Sequence, residues 1–212
     1  MFRTRRGCVA FSMRRADSAP PLIAGVRVVP MRLRVVATVL LFLAPVLSYA
    51  EIYKLAITEE PGIRFYWWPV VKSPAGWAHD EGASLKSGVN MLVPIGQTFA
   101  DAPSVMYARA DYKPRMPDIH SIREYVEKDR RELASESPDT SITILEPVKT
   151  SDGKVLTVLQ YVIPIRKQWE IVAYGEEGEF YLLFTFSSRD EAAYRAALPA
   201  YYDMLHAYSE RP

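Results

Sequence analysis

From Ser141 onward the apolar positions fall into four short runs divided by turn residues. They are "SITILEPV" (141–148), "KVLTVLQYVI" (154–163), "QWEIVAYG" (168–175) and "EFYLLFTF" (179–186). Each is rich in β-branched and aromatic residues, which suit a pleated, packed surface. The breaks between them, "KTSDG", "PIRK" and "EEG", are too short for the crossover that a parallel pair requires. The pattern therefore predicts a four-strand antiparallel meander. In the second run Val155, Thr157, Leu159, Tyr161 and Ile163 alternate with Leu156, Val158, Gln160 and Val162. Apolar side chains on both faces predict a sheet covered on both sides.

Two helices are the expected covers. "DIHSIREYVEKDRRELASE" (118–136) places Ile119, Ile122, Val126 and Leu133 along one stripe, with charged residues opposite. Ser121 and Glu124 form a capping box, and Asp118 offers a cap one turn earlier. After the meander, Ser188 and Glu191 mark a second helix start, and Tyr194, Leu198, Tyr202, Leu205 and Tyr208 recur at helical spacing. Pro199 lies inside that segment and is expected to kink or split it. The first half shows less order. "IRFYWWPVV" (63–71) is apolar on both sides, with Pro69 pointing to an edge or a strand end. Shorter strands are expected at "VNMLVPI" (89–95) and "SVMYARADY" (104–112).

The longest apolar run, "MRLRVVATVLLFLAPVLSYA" (31–50), stands apart from these elements. Arg32 and Arg34 make a basic head, Val35 to Val46 an apolar stretch, and Ser48-Tyr49-Ala50 a small-residue processing site. The stretch is shorter than the roughly 20 apolar residues of a membrane span. It reads as a cleaved export signal starting at Met31. Residues 1–30, arginine-rich with no repeating apolar face, read as a mis-assigned start or a disordered extension. One domain is expected over residues 51–212.

Removing the leader changes the charge. Of 26 basic and 25 acidic residues, eight and one lie in the first fifty, which leaves 18 and 24 and a formal net charge of −6. A mildly acidic domain without a basic run is poorly suited to nucleic acid, whose affinity comes from phosphate neutralisation. The single cysteine, Cys8, leaves with the extension, so no disulfide and no thiolate metal site is expected.

Candidate chemistry is sparse. His79, His120 and His206 are far apart in the chain and lack metal-ligand spacing. "HDE" (79–81) sets a histidine beside two carboxylates, and "GASLKSG" (82–88) holds Ser84, Lys86 and Ser87 without the spacing of a nucleophile elbow. No glycine-rich phosphate loop occurs. No catalytic residue, metal or cofactor is assigned. The binding candidates are Trp67, Trp68 and Trp77, since tryptophan favours interfaces and stacks on ligands. Strand alternation directs Trp67 and Trp68 to opposite faces.

A β-rich first half, a helix, a meander and a closing helix together resemble the PsbP/DcrB superfamily, which includes the extrinsic photosystem subunit and Mog-type Ran-binding proteins. The residues carrying the resemblance are "DIHSIREYVEKDRRELA", the meander, and "FYLLFTFSSRDEAAYRAALPAYYDMLHAY", within a span of 63 to 209. It implies an α+β fold, an antiparallel β-sheet covered by helices as an α/β/α sandwich, and offers no shared catalytic residue. Many members are exported adaptors or binding subunits. The expectation is thus a periplasmic or secreted, non-catalytic binding or adaptor module. Its partner would be a protein or envelope component, without nucleic acid and without a membrane span after signal cleavage. The alternative is a small periplasmic hydrolase using the 79–87 loop.

Overall fold

The computed structural model describes residues 52–59 and 62–209. The export signal (31–50) and the extension (1–30) lie outside the described residues. Among these residues nine strands form one antiparallel sheet: β1 (Ile52–Glu59), β2 (Gly62–Pro69), β3 (Trp77–His79), β4 (Asn90–Pro94), β5 (Ser104–Tyr112), β6 (Ser141–Lys149), β7 (Val155–Ile163), β8 (Gln168–Glu177) and β9 (Phe180–Ser188). The main path runs β1-β2-β5-β9-β8-β7-β6, with β4 also on β5 and β3 on β4. The meander of the second half is present as expected. The fold is α+β.

Among the described residues three α-helices accompany the sheet: α1 (Glu81–Ser87), α2 (Ile122–Glu136) and α3 (Glu191–Ala207). The last two cover its opposite faces. On one face Tyr194, Tyr201, Met204 and Leu205 of α3 pack on Leu156, Val158, Ile171, Leu182, Phe184 and Phe186. Phe186 stacks between Tyr194, at 5.3 Å, and Tyr201, at 5.6 Å. The Tyr201 hydroxyl, fully buried, donates to the Phe184 carbonyl at 2.7 Å. Each such ring contributes about 2–3 kcal/mol through burial alone.

The other face is more polar. Tyr125 and Val126 of α2 pack on Leu159, Tyr161, Val172, Tyr174, Tyr181 and Leu183. There the tyrosine hydroxyls satisfy one another: Tyr161 and Tyr174 lie 2.8 Å apart, and Tyr174 donates to Asp129 at 2.6 Å. Burial pushes the Tyr161 phenol up to about 12, so these hydroxyls stay protonated donors.

Three local features depart from expectation. The α3 N-cap is Asp190, whose Oδ1 accepts from Ala193 N at 2.6 Å; Ser188 is buried and bonds to Ser104 and Pro103. Pro199 does not split α3, which is assigned as one helix from Glu191 to Ala207. Pro199 and Arg195 both face solvent, so water can take the Arg195 carbonyl that loses its intrahelical donor. Third, β1, β3 and α1 arise in segments where no element was expected. Among the described residues no helix is long and apolar enough to cross a membrane.

Strands β1 and β2 form a hairpin paired along its whole length, from Ile52↔Pro69 to Glu59↔Gly62. It joins the body of the sheet loosely. Among the described residues β2 meets β5 at one position only, Trp67↔Ala110. The sheet is therefore split beside Trp67, and that split positions the site.

Candidate functional site

Adjacent residues on β2 open onto two clefts, one on each side of the strand. The first, about 380 Å³, is walled by Phe65, Tyr66 and Trp67, by Gly88, and by the β5 end with Arg109, Asp111 and Tyr112. Trp67 is half-buried in it. Its ring stacks on Tyr112 at 5.4 Å and meets Phe180 at 6.1 Å. Above it sits Arg115, with the guanidinium carbon 4.4 Å from the ring centre. A 3-10 turn, Lys113–Arg115, carries Pro114 in its first positions, which sets the backbone that delivers Arg115. Arg115 also donates from Nη1 to the Phe65 carbonyl, at the long distance of 3.5 Å.

Also lining this cleft, Arg109 lies 3.4 Å from Asp111, which accepts from the Tyr125 hydroxyl. Burial works against the Arg109 charge, yet Asp111 beside it holds the guanidinium well above its ordinary value. Arg109 Nε is buried with no partner among the described residues. Gly88 makes the opposite wall. Its φ is 69°, and a Cβ there would stand 2.2 Å from the Tyr66 ring. Only glycine fits that close approach and that left-handed backbone together.

The second cleft, also about 380 Å³, lies at Trp68 and is lined by Tyr53, Val71, His79, Glu81, Ser84 and Asn90 among others. It gathers His79, Glu81 and Ser84 of the "HDEGAS" stretch. The polar atoms of Ser84 and of the adjoining Asp80, however, are committed. Asp80 caps α1, accepting from Ala83 N at 2.9 Å through Oδ1 and from Phe99 N at 3.0 Å through Oδ2. These donors hold its carboxyl below the usual range. The Ser84 hydroxyl, buried, donates to the Asp80 carbonyl at 2.6 Å and accepts from Met91 N at 2.9 Å. No proton is left to hand to a base. Asn90 donates from Nδ2 to the Pro69 carbonyl at 3.0 Å, which turns its Oδ1 toward His79 Nδ1 at 2.9 Å. That oxygen accepts only, so His79 carries a proton on Nδ1, and in the neutral ring Nε2 is the acceptor.

Trp77 belongs to neither cleft. It is 8% exposed and meets Phe186 edge-on at 6.5 Å, inside the core. The three histidines stay apart: His120 precedes α2, with its backbone N–H on Glu124 at 2.7 Å, and His206 Nδ1 donates to the Lys149 carbonyl at 2.9 Å. Among the described residues no group of three or more His, Cys, Asp or Glu side chains could hold a metal ion.

Sequence reasoning missed one polar site. A cavity of about 210 Å³ is lined by Phe99, Tyr107, Gln168, Glu170, Ser187 and Arg189. Burial pushes the Glu170 carboxyl up to about 7, against the hydrogen bond from Gln168 at 2.8 Å. The available signal was phase: Glu170 shares its face of β8 with buried Val172 and Tyr174.

No family model and no curated protein matches the chain. Among solved structures it is similar to the solution structure of cyanobacterial PsbP (CyanoP) from Synechocystis sp. PCC 6803. The identity is 13%, over 77% of this chain and 96% of that one, with a TM-score of 0.38. The resemblance to PsbP is one of fold pattern.

Proposed function

We propose that the chain is an exported, non-catalytic binding module that takes a protein or envelope component into the Trp67 cleft. One observation carries the reading. Trp67 is half-buried, stacked on Tyr112 from within the fold and covered by Arg115 at 4.4 Å. Aromatic and arginine side chains gathered in a cleft are the usual anchors of a binding surface. The placement outside the cell rests on the leader at 31–50 and on a cysteine-free remainder.

The protein should capture a partner from envelope or extracellular extract, and Trp67→Ala should lose that partner while His79→Ala keeps it. Partners retained by Trp67→Ala would move the binding surface elsewhere. Mass spectrometry of native material should find an N-terminus near Glu51; a chain still carrying residues 31–50 would overturn export by cleavage.

The hydrolase reading has one observation in its favour, the His79 ring oriented by Asn90 with Nε2 as an acceptor. It would need turnover of a small ester that His79→Ala abolishes. Ser84, tied at both donor and acceptor, is not the nucleophile for it.

A further inference from the structure

The hairpin register determines which backbone groups of β2 face the split. In an antiparallel pair alternate residues exchange both hydrogen bonds with the partner strand and the residues between point their N–H and C=O outward. Glu59 and Gly62 flank a two-residue connection, so Gly62, Arg64, Tyr66 and Trp68 turn to β1. Ile63, Phe65, Trp67 and Pro69 turn the other way. Three contacts fit this phase: Trp67 makes the one rung to Ala110, the Pro69 carbonyl takes the Asn90 amide, and the Phe65 carbonyl takes Arg115.

Between Ile63 and Phe65, then, β2 presents an inner edge to the cleft that pairs with no strand among the described residues. Among the described residues its one hydrogen bond on that side is the 3.5 Å contact from the flexible Arg115 side chain. Unpaired strand edges are templates for another strand. The surrounding charge points to what kind. Arg115 and Lys54 cover Trp67 and Phe65 at 4.4 Å each, and Arg109 lines the same cleft. Among the described residues that line the cleft the one acid, Asp111, is already held by Arg109 and Tyr125. This basic cluster belongs to a segment, 51–212, whose formal charge is −6.

We propose that the Trp67 cleft binds an extended, acidic peptide segment of a partner protein, which adds as a strand to β2 at Ile63 and Phe65. Its backbone takes the Phe65 carbonyl in place of Arg115. Arg115, released but still over Trp67, then pairs with an acidic side chain of the peptide. The alternate peptide side chains lie over Trp67 and Phe65. Backbone pairing supplies affinity and the aromatic, basic wall supplies selectivity, as in other strand-addition sites. The inference rests on the Trp67 cleft being the binding surface.

The test is selection of phage-displayed random dodecapeptides on the purified protein. Enriched sequences should alternate apolar residues with Glu or Asp. A synthetic copy of the best one should bind at least tenfold more weakly to Arg115→Ala, and at least tenfold more weakly when its alternate amides are N-methylated. Amide exchange at Ile63 and Phe65 should slow on binding. If the N-methylated copy binds as well as the parent while Trp67→Ala loses both, strand addition fails and the cleft survives as the binding surface. If neither Trp67→Ala nor Arg115→Ala weakens the peptide, both readings fail. Enrichment of basic or neutral sequences overturns the acidic partner. Failure to enrich any peptide, with Ile63 and Phe65 already protected in the free protein, means the edge is filled by this chain or a second copy and overturns the proposal.

Discussion

The clefts at Trp67 and Trp68 have similar volumes and share one strand, yet their polar groups are used in opposite ways. At Trp68 the residues that look catalytic by type are structural ties: Asp80 caps α1 and anchors Phe99, while Ser84 joins α1 to β4. At Trp67 the residues look structural by type, an arginine on a tryptophan, yet the strand beside them keeps unused backbone capacity. Residue identity is thus a poor guide here. What separates a tie from a binding group is whether its donors and acceptors are already spent.

The strongest way to break the contrast is to close the Trp67 cleft from its far wall. Gly88→Ala places a Cβ 2.2 Å from the Tyr66 ring at a φ of 69°. Left-handed strain and overpacking together should cost about 3 kcal/mol, read as a lower urea midpoint. The displaced Tyr66 should also change the Trp67 environment, seen as a shift in tryptophan emission. A cost below about 1 kcal/mol would mean that Tyr66 moves freely and that the wall is not rigid.

Next in size is Ser84→Ala, which leaves the buried Met91 N–H without its acceptor. The expected loss is about 2 kcal/mol, against less than about 0.5 kcal/mol for His79→Ala on the exposed side of the same cleft. A Ser84→Ala protein of unchanged stability that had lost ester turnover would reverse the comparison and restore the hydrolase reading.

The parts of this site that sequence made legible were those specified by repetition. The meander declares itself through four runs with short breaks, and strand alternation separates Trp67 from Trp68 on opposite sides of β2. Single contacts left no such trace. Helix α1, "EGASLKS", has a glycine and two serines in seven residues, a composition that favours loops. It forms because Asp80 caps one end, Gly88 turns left-handed at the other, and Ser84 is held by β4. The inner edge of β2 is likewise invisible in "IRFYWWPVV". An unpaired edge is a property of the neighbouring strand, here β5, which makes no rung to β2 beyond Ala110. Trp77, equal in type to its two neighbours, is buried only because β3 pairs with β4 over Phe186.

The smallest expected effect sharpens the contrast through pH. Asp80 is half-buried and its carboxyl is held below its ordinary value of 3.8, first by the Ala83 N–H and then by the Phe99 N–H. A carboxyl depressed by folding adds stability that is fully present above the unfolded value and is lost as pH falls through the lower folded one. Asp80→Asn keeps a capping oxygen for Ala83 but removes the charge. At pH 7 the variant should have a slightly lower urea midpoint than the unmodified protein, and below pH 3.8 the two midpoints should converge. A gap that stays constant across that range would show that Asp80 acts through shape alone. Convergence would confirm it as a charged tie between α1 and the Phe99 loop. The loop then becomes the means by which the Trp68 cleft and the Glu170 cavity are held in register, since Phe99 lines the second of these while Asp80 fixes its backbone.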